Sequence, residues 1–116
     1  MEDNAGALMN PPKADGEPLM EAIKRSCAIK AEVVMKDERE SGLRSILNFG
    51  HTFGHAVEAL TGYKEFRHGE AVSMGMVMAA RLSHVLGLAS EDAAIRLENL
   101  LKRLSLPIKP PGFSPY

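Results

Sequence analysis

The sequence has no tryptophan, a single cysteine, and only four phenylalanines and two tyrosines among its 116 residues. Each shortage excludes something. Cys27 has no second thiol to pair with, so no internal disulfide can form, which fits a reducing cytoplasm. The formal net charge is −1, so no strong field gathers polyanions, and neither nucleic acid nor a membrane surface is an expected partner. No apolar run approaches the roughly 18 residues that a membrane span needs. The segment MEDNAGALMNPPKADGEP is polar and carries no apolar h-region, so a secretory signal is not expected. With so few aromatics, the core must be filled by Leu, Ile, Val, Ala and seven Met. Such a core is small, which raises the expectation that another domain or a second copy covers part of it.

The residues present read as helix. Residues 1–16, rich in Asn, Gly, Pro and Asp, suggest a flexible arm or linker. Glu17-Pro18 opens a first helix, since proline suits the first helical turn, and Ile23, Cys27, Ala31 and Val34 succeed it at helical spacing to about residue 35. The charged residues 36–40 lie at or beyond its end, and Ser41 is placed to cap the next helix. That second helix is predicted over 43–60, stopped at Thr61-Gly62, with a loop over 63–67. A third runs over 68–86 and ends at Gly87; a fourth, capped by Ser90, runs over 91–104. Four prolines after Leu106 make the tail at 108–116 irregular. With no convincing strand and no repeat, the fold class is all-α: a bundle of about four helices, with the helical domain at 17–107. Met74, Met76 and Met78 read as packing residues, Glu70 as a first-turn acid facing the helix dipole, and His84 as structural or exposed.

The chemistry concentrates in LRSILNFGHTFGHAVEAL, residues 43–60. On one continuous helix, Arg44, Asn48, His51 and His55 fall within an arc of roughly 60°. Ile46, Phe49, Phe53, Val57 and Leu60 fall opposite. A solvated face is usually Lys and Glu; Arg, Asn and His instead make directed contacts to carboxylate, phosphate, amide or metal. Gly50 and Gly54 flank the histidines and each costs about 1 kcal/mol of helix propensity against Ala, so a close approach of another backbone or a ligand is expected there. Histidines four apart can hold one metal ion. A bare pair also arises from one exposed and one packed histidine, and the coplanar Arg44 and Asn48 favour the functional reading. His68, just before the third helix, is brought back toward His51 by the short hairpin. Two imidazoles from separate elements plus one oxygen ligand make an open catalytic zinc arrangement.

NFGHTFGHAVEALTGY, followed by FRHGEAVSMGMVMAARLSHVLGL and preceded by RSCAIKAEVVMKDERESGLR, closely resembles the C-terminal helical domain of the 3-dehydroquinate synthase family. The resemblance covers roughly residues 19–107. It implies an NAD-dependent enzyme with one divalent metal, zinc or cobalt, that cyclises a phosphorylated seven-carbon keto acid to 3-dehydroquinate in the shikimate pathway. The implied cycle oxidises a ring hydroxyl, eliminates phosphate, reduces the ketone, opens the ring and closes it by an aldol step. By resemblance His51 and His68 match the metal-ligating histidines. His55 matches an active-site histidine that moves a proton or contacts phosphate, and Lys30, Arg44 and Asn48 match substrate-binding positions.

The family also has a Rossmann-like nucleotide-binding domain, and no Gly-rich fingerprint after a strand occurs here. The family's third metal ligand, a glutamate near the domain junction, has no counterpart before Pro18. The chain is therefore expected to be a fragment that is inactive without the nucleotide-binding domain, does not bind NAD alone, holds zinc weakly and self-associates into a homo-oligomer. Alternatives are a related sugar-phosphate cyclase with another product, and a non-catalytic, self-associating helical module.

Overall fold

In a computed structural model, the structure describes residues 6, 9, 17–38 and 42–112. Among these the ordered elements are four α-helices and one 3-10 segment, with no strand: α1 (Glu17–Lys36), the 3-10 segment Leu43–Asn48, α2 (His51–Leu60), α3 (His68–Val85) and α4 (Glu91–Arg103). The all-α class read from the sequence is the class observed. The expected arm over 1–16 falls almost wholly outside the described residues, as does Ser41. The contacts divide the chain into two compact units, residues 1–48 and 49–116.

In the first unit, α1 packs on the 3-10 segment. Its surface is held by ion pairs one turn apart, Arg25 to Glu21 at 2.9 Å and Lys36 to Glu32 at 2.6 Å. The helical spacing of Ile23, Cys27, Ala31 and Val34 is that of the observed helix; Ile23, Cys27 and Ala31 are exposed, Val34 is half-buried, and Val33 is the buried residue. Asp37 closes the start of the 3-10 segment. Its buried carboxylate accepts the backbone N–H groups of Gly42 and Arg44, each at 3.0 Å, and so starts the 3-10 segment.

The expected helix over 43–60 is two elements. The chain is 3-10 to Asn48, turns at Phe49-Gly50, and becomes α-helical at His51. Gly50 sits at φ 82°, a left-handed conformation that glycine adopts at little cost and that no continuous α-helix contains. The reason is tertiary. A Cβ at Gly50 would lie 2.6 Å from Met76 Cγ and 2.7 Å from Met76 N; one at Gly54 would lie 3.1 Å from Val72 Cα. A Cβ at Gly75 would lie 2.0 Å from the Gly50 carbonyl oxygen. As numbers rise along α2 they fall along α3, so the pair is antiparallel with its backbones almost touching. The two glycines thus serve the close backbone approach that their helix cost implied.

The second unit's core forms where α2 meets α3: Val57, Ala71 and the fully buried Met74, with Phe66 packed against them. α2 ends at Thr61 and a loop with Gly62 and Tyr63 at positive φ. The Glu70 carboxylate accepts the Arg67 N–H at 2.8 Å, closing the start of α3. Gly87, at φ 71°, comes just after the end of α3, and Ser90 caps α4 by accepting the Ala93 N–H at 3.2 Å. His84 is exposed. The buried Ser73 hydroxyl donates to the Pro107 carbonyl at 2.8 Å and pins the irregular segment after α4 onto α3.

Glu98 on α4 ties that helix to α3. Its carboxylate pairs with Arg81 of α3 and with Lys102 one turn on, at 3.1 Å. The Arg81 guanidinium, then Lys102, hold its carboxyl below the usual carboxylate range. Because the folded-state value is depressed, the stabilisation is full above the unfolded value of about 4.3 and fades as pH falls through the folded-state value. Glu98→Gln is expected to lower the melting temperature by a few degrees at neutral pH, since such pairs contribute up to about 1 kcal/mol. The difference from wild type should vanish in acid; a calorimetric melt at each pH checks this.

Candidate metal centre

Three histidines converge on the α2–α3 pair. His51 is the first residue of α2, His55 lies one turn later, and His68 is the first residue of α3. The seven-residue connection reverses the chain, so His68 returns alongside α2. Ring centroids are 5.4 Å apart for His51 and His68, 5.9 Å for His51 and His55, and 5.9 Å for His55 and His68. Two imidazoles sharing one zinc at Zn–N of about 2.0–2.1 Å have ring centres a little over about 5 Å apart. The His51–His68 pair comes nearest to that spacing.

The His51 ring is half-buried, and its Nδ1 is buried with no hydrogen-bond partner. An unpaired buried ring nitrogen costs about 1–3 kcal/mol, and a metal ion or substrate atom would satisfy it. His55 and His68 are exposed, so the cluster opens to solvent.

A fourth group joins them. Glu58 presents a carboxylate 3.0 Å from His68 Nδ1, with only 12% of its side chain exposed. One donor atom from each of His55, Glu58 and His68 lies within 4.8 Å of the others, close enough for a shared ion. Glu58 is absent from the sequence-derived site. Its signal was spacing: it lies three residues after His55 and seven after His51, on the same helical face.

Of the six expected site residues, His51, His55 and His68 are brought together in the second unit. Lys30 is exposed on α1, and Arg44 and Asn48 lie on the 3-10 segment, all within the first unit. Residues 43–60 are a 3-10 segment followed by an α-helix, not the one continuous helix expected.

Fold and site define the class: an all-α module with a histidine–glutamate cluster of metal-site character on a close-packed helix pair. Residues 1–115 match the family described as 3-dehydroquinate synthase C-terminal, and the chain belongs to that family. It is 53% identical over 115 residues to a 3-dehydroquinate synthase of Geotalea uraniireducens, covering 99% of this chain and 31% of that protein. Proteins of the same name from Geobacter sp. strain M21 and Thermodesulfovibrio yellowstonii are each 54% identical, over 113 and 99 residues, covering 97% and 85% of this chain and 30% and 28% of theirs. The chain thus spans about a third of the length of these relatives. No helix among the described residues is long and apolar enough to cross a membrane.

Proposed function

We propose that this chain supplies the metal and substrate part of a 3-dehydroquinate synthase. The enzyme would convert 3-deoxy-D-arabino-heptulosonate 7-phosphate to 3-dehydroquinate with loss of phosphate, in the cytoplasm. The observation that carries the reading is the buried, unpartnered Nδ1 of His51 within a three-histidine cluster. The naming of relatives at 53–54% identity supports the substrate.

His51 and His68 would hold the divalent metal, zinc or cobalt. When bound, the metal supplies Lewis-acid stabilisation of anionic oxygen on the substrate's hydroxyls. His55, exposed beside them, accepts or returns a proton near the substrate phosphate. Arg44 and Lys30 bind carboxylate and phosphate oxygens, Arg44 through a planar fork and Lys30 as a point charge, and Asn48 hydrogen-bonds a hydroxyl. The helical metal and substrate region spans residues 17–107. NAD is held by a nucleotide-binding domain that works with this chain, so the 116-residue chain alone neither binds NAD nor turns over. Exposed Leu19, Met20 and Ile23 on α1 suit burial against that domain or a second copy.

The test is a chimera in which this chain replaces the matched third of the Geotalea uraniireducens protein. NAD-dependent formation of 3-dehydroquinate is expected. A chimera that folds and binds NAD and zinc but leaves the heptulosonate phosphate unchanged would sink the substrate assignment.

A further inference from the structure

Glu58 has a place in the site that metal ligation by His51 and His68 does not account for. It sits on α2 level with the first turn of α3, because α2 and α3 run antiparallel with Gly54 beside Val72. Its carboxylate is largely enclosed, 12% exposed, while the His68 side chain it meets is 57% exposed. The contact is specific to one ring atom, Nδ1, at 3.0 Å.

A neutral imidazole carries one N–H and one lone pair. An ionised carboxylate can only accept, so beside Glu58 the His68 proton must stand on Nδ1 and the lone pair on Nε2. An exposed ring at a helix start has little else to stop it turning about its side-chain bonds. We propose that Glu58 is a positioning residue: it holds His68 in the Nδ1–H tautomer and fixes the ring so that Nε2 serves the metal. The role rests on the metal reading of the cluster. Carboxylates that orient metal-ligating histidines in this way are worth about 10–100-fold in metal affinity. The competing role is direct ligation, because Glu58 also lies within 4.8 Å of a donor atom on His55 and on His68.

The first arm uses the metal-free 116-residue chain and long-range ¹⁵N correlation NMR of the imidazoles at about pH 8.5, alkaline of the ordinary histidine range. His68 is expected as the Nδ1–H tautomer; the Nε2–H form in the wild-type chain would overturn the proposal whatever any variant does. The second arm compares wild type with Glu58→Gln, whose folding is checked by circular dichroism. Gln keeps the volume but can also donate, so the tautomer preference is expected to weaken and zinc affinity by calorimetry to fall about 10–100-fold. The visible bands of the cobalt-loaded chain are expected to stay where they are, because the coordinating atoms are unchanged. Bands that move in Glu58→Gln would make Glu58 a ligand and overturn the positioning role. A wild-type chain with the Nδ1–H tautomer and no zinc binding would overturn the metal reading, and with it the purpose assigned to Glu58, while leaving the pairing itself in place.

Discussion

Replacing His51 with alanine is expected to weaken zinc binding by the chain more than about 100-fold, since even the loss of an outer carboxylate partner costs about 10–100-fold. His68→Ala should do the same. His55→Ala should leave zinc affinity within about tenfold of wild type, and in the chimeric synthase should lower kcat by about 10²–10⁴-fold, the usual range for a lost proton-transfer group. The contrast is sharp because the three rings are nearly equidistant, at 5.4 to 5.9 Å. What separates them is environment. His51 has the buried orphan nitrogen, the His68 ring meets the Glu58 carboxylate at 3.0 Å, and His55 is exposed. Zinc calorimetry on the three variants checks the order. If His55→Ala abolished binding and His51→Ala retained it, the ion would belong to the group formed by His55, Glu58 and His68 instead.

Gly75→Ala is the substitution expected to cost most in stability. Helix propensity alone predicts a gain of about 1 kcal/mol, because Gly75 lies inside α3. The packing predicts the opposite. The new Cβ would stand 2.0 Å from the Gly50 carbonyl oxygen and 2.6 Å from Gly54 N, and both are backbone atoms that no rotamer change can move. Helices α2 and α3 must separate, which destabilises by about 3 kcal/mol and lowers the melting temperature by about 10–20 °C in a unit this small. Because the same separation sets the distance from His68 to His51 and His55, zinc affinity should fall with it. Gly69→Ala is the control: a Cβ there meets nothing within 4 Å, and its melt should stay near wild type. Equal melting of the two variants would contradict the close-packed pair.

The positions of α3 and α4 were legible because local chemistry sets their ends: Gly87 after α3, Ser90 before α4, and the Glu70 carboxylate folded back on Arg67. The histidine cluster was legible too, since spacing of four on α2 and a short hairpin leave His68 little choice of neighbours. The break at Gly50 was not. Residues 43–60 keep a helical period across a 3-10 turn and an α-helix alike, and the left-handed glycine is required by Met76 and Gly75, far along the chain. The spacing of Ile23, Cys27, Ala31 and Val34 makes α1 legible as a helix but does not mark the residue it buries, Val33. The role of Glu58 is not legible in the sequence, because an acid on a helix usually reads as solvated. Only the return of His68 to its level gives the carboxylate a partner.

The central claim is that His51 and His68 hold one metal ion on the α2–α3 pair. Anomalous diffraction at the zinc edge, from crystals of the chain grown with zinc, locates that ion directly. The predicted result is a single peak at about 2.0–2.1 Å from a ring nitrogen of His51 and of His68, with Glu58 behind His68 and not in contact with the ion. A peak bound by His55 and Glu58 with His51 remote, or no peak on this helix pair, would contradict it.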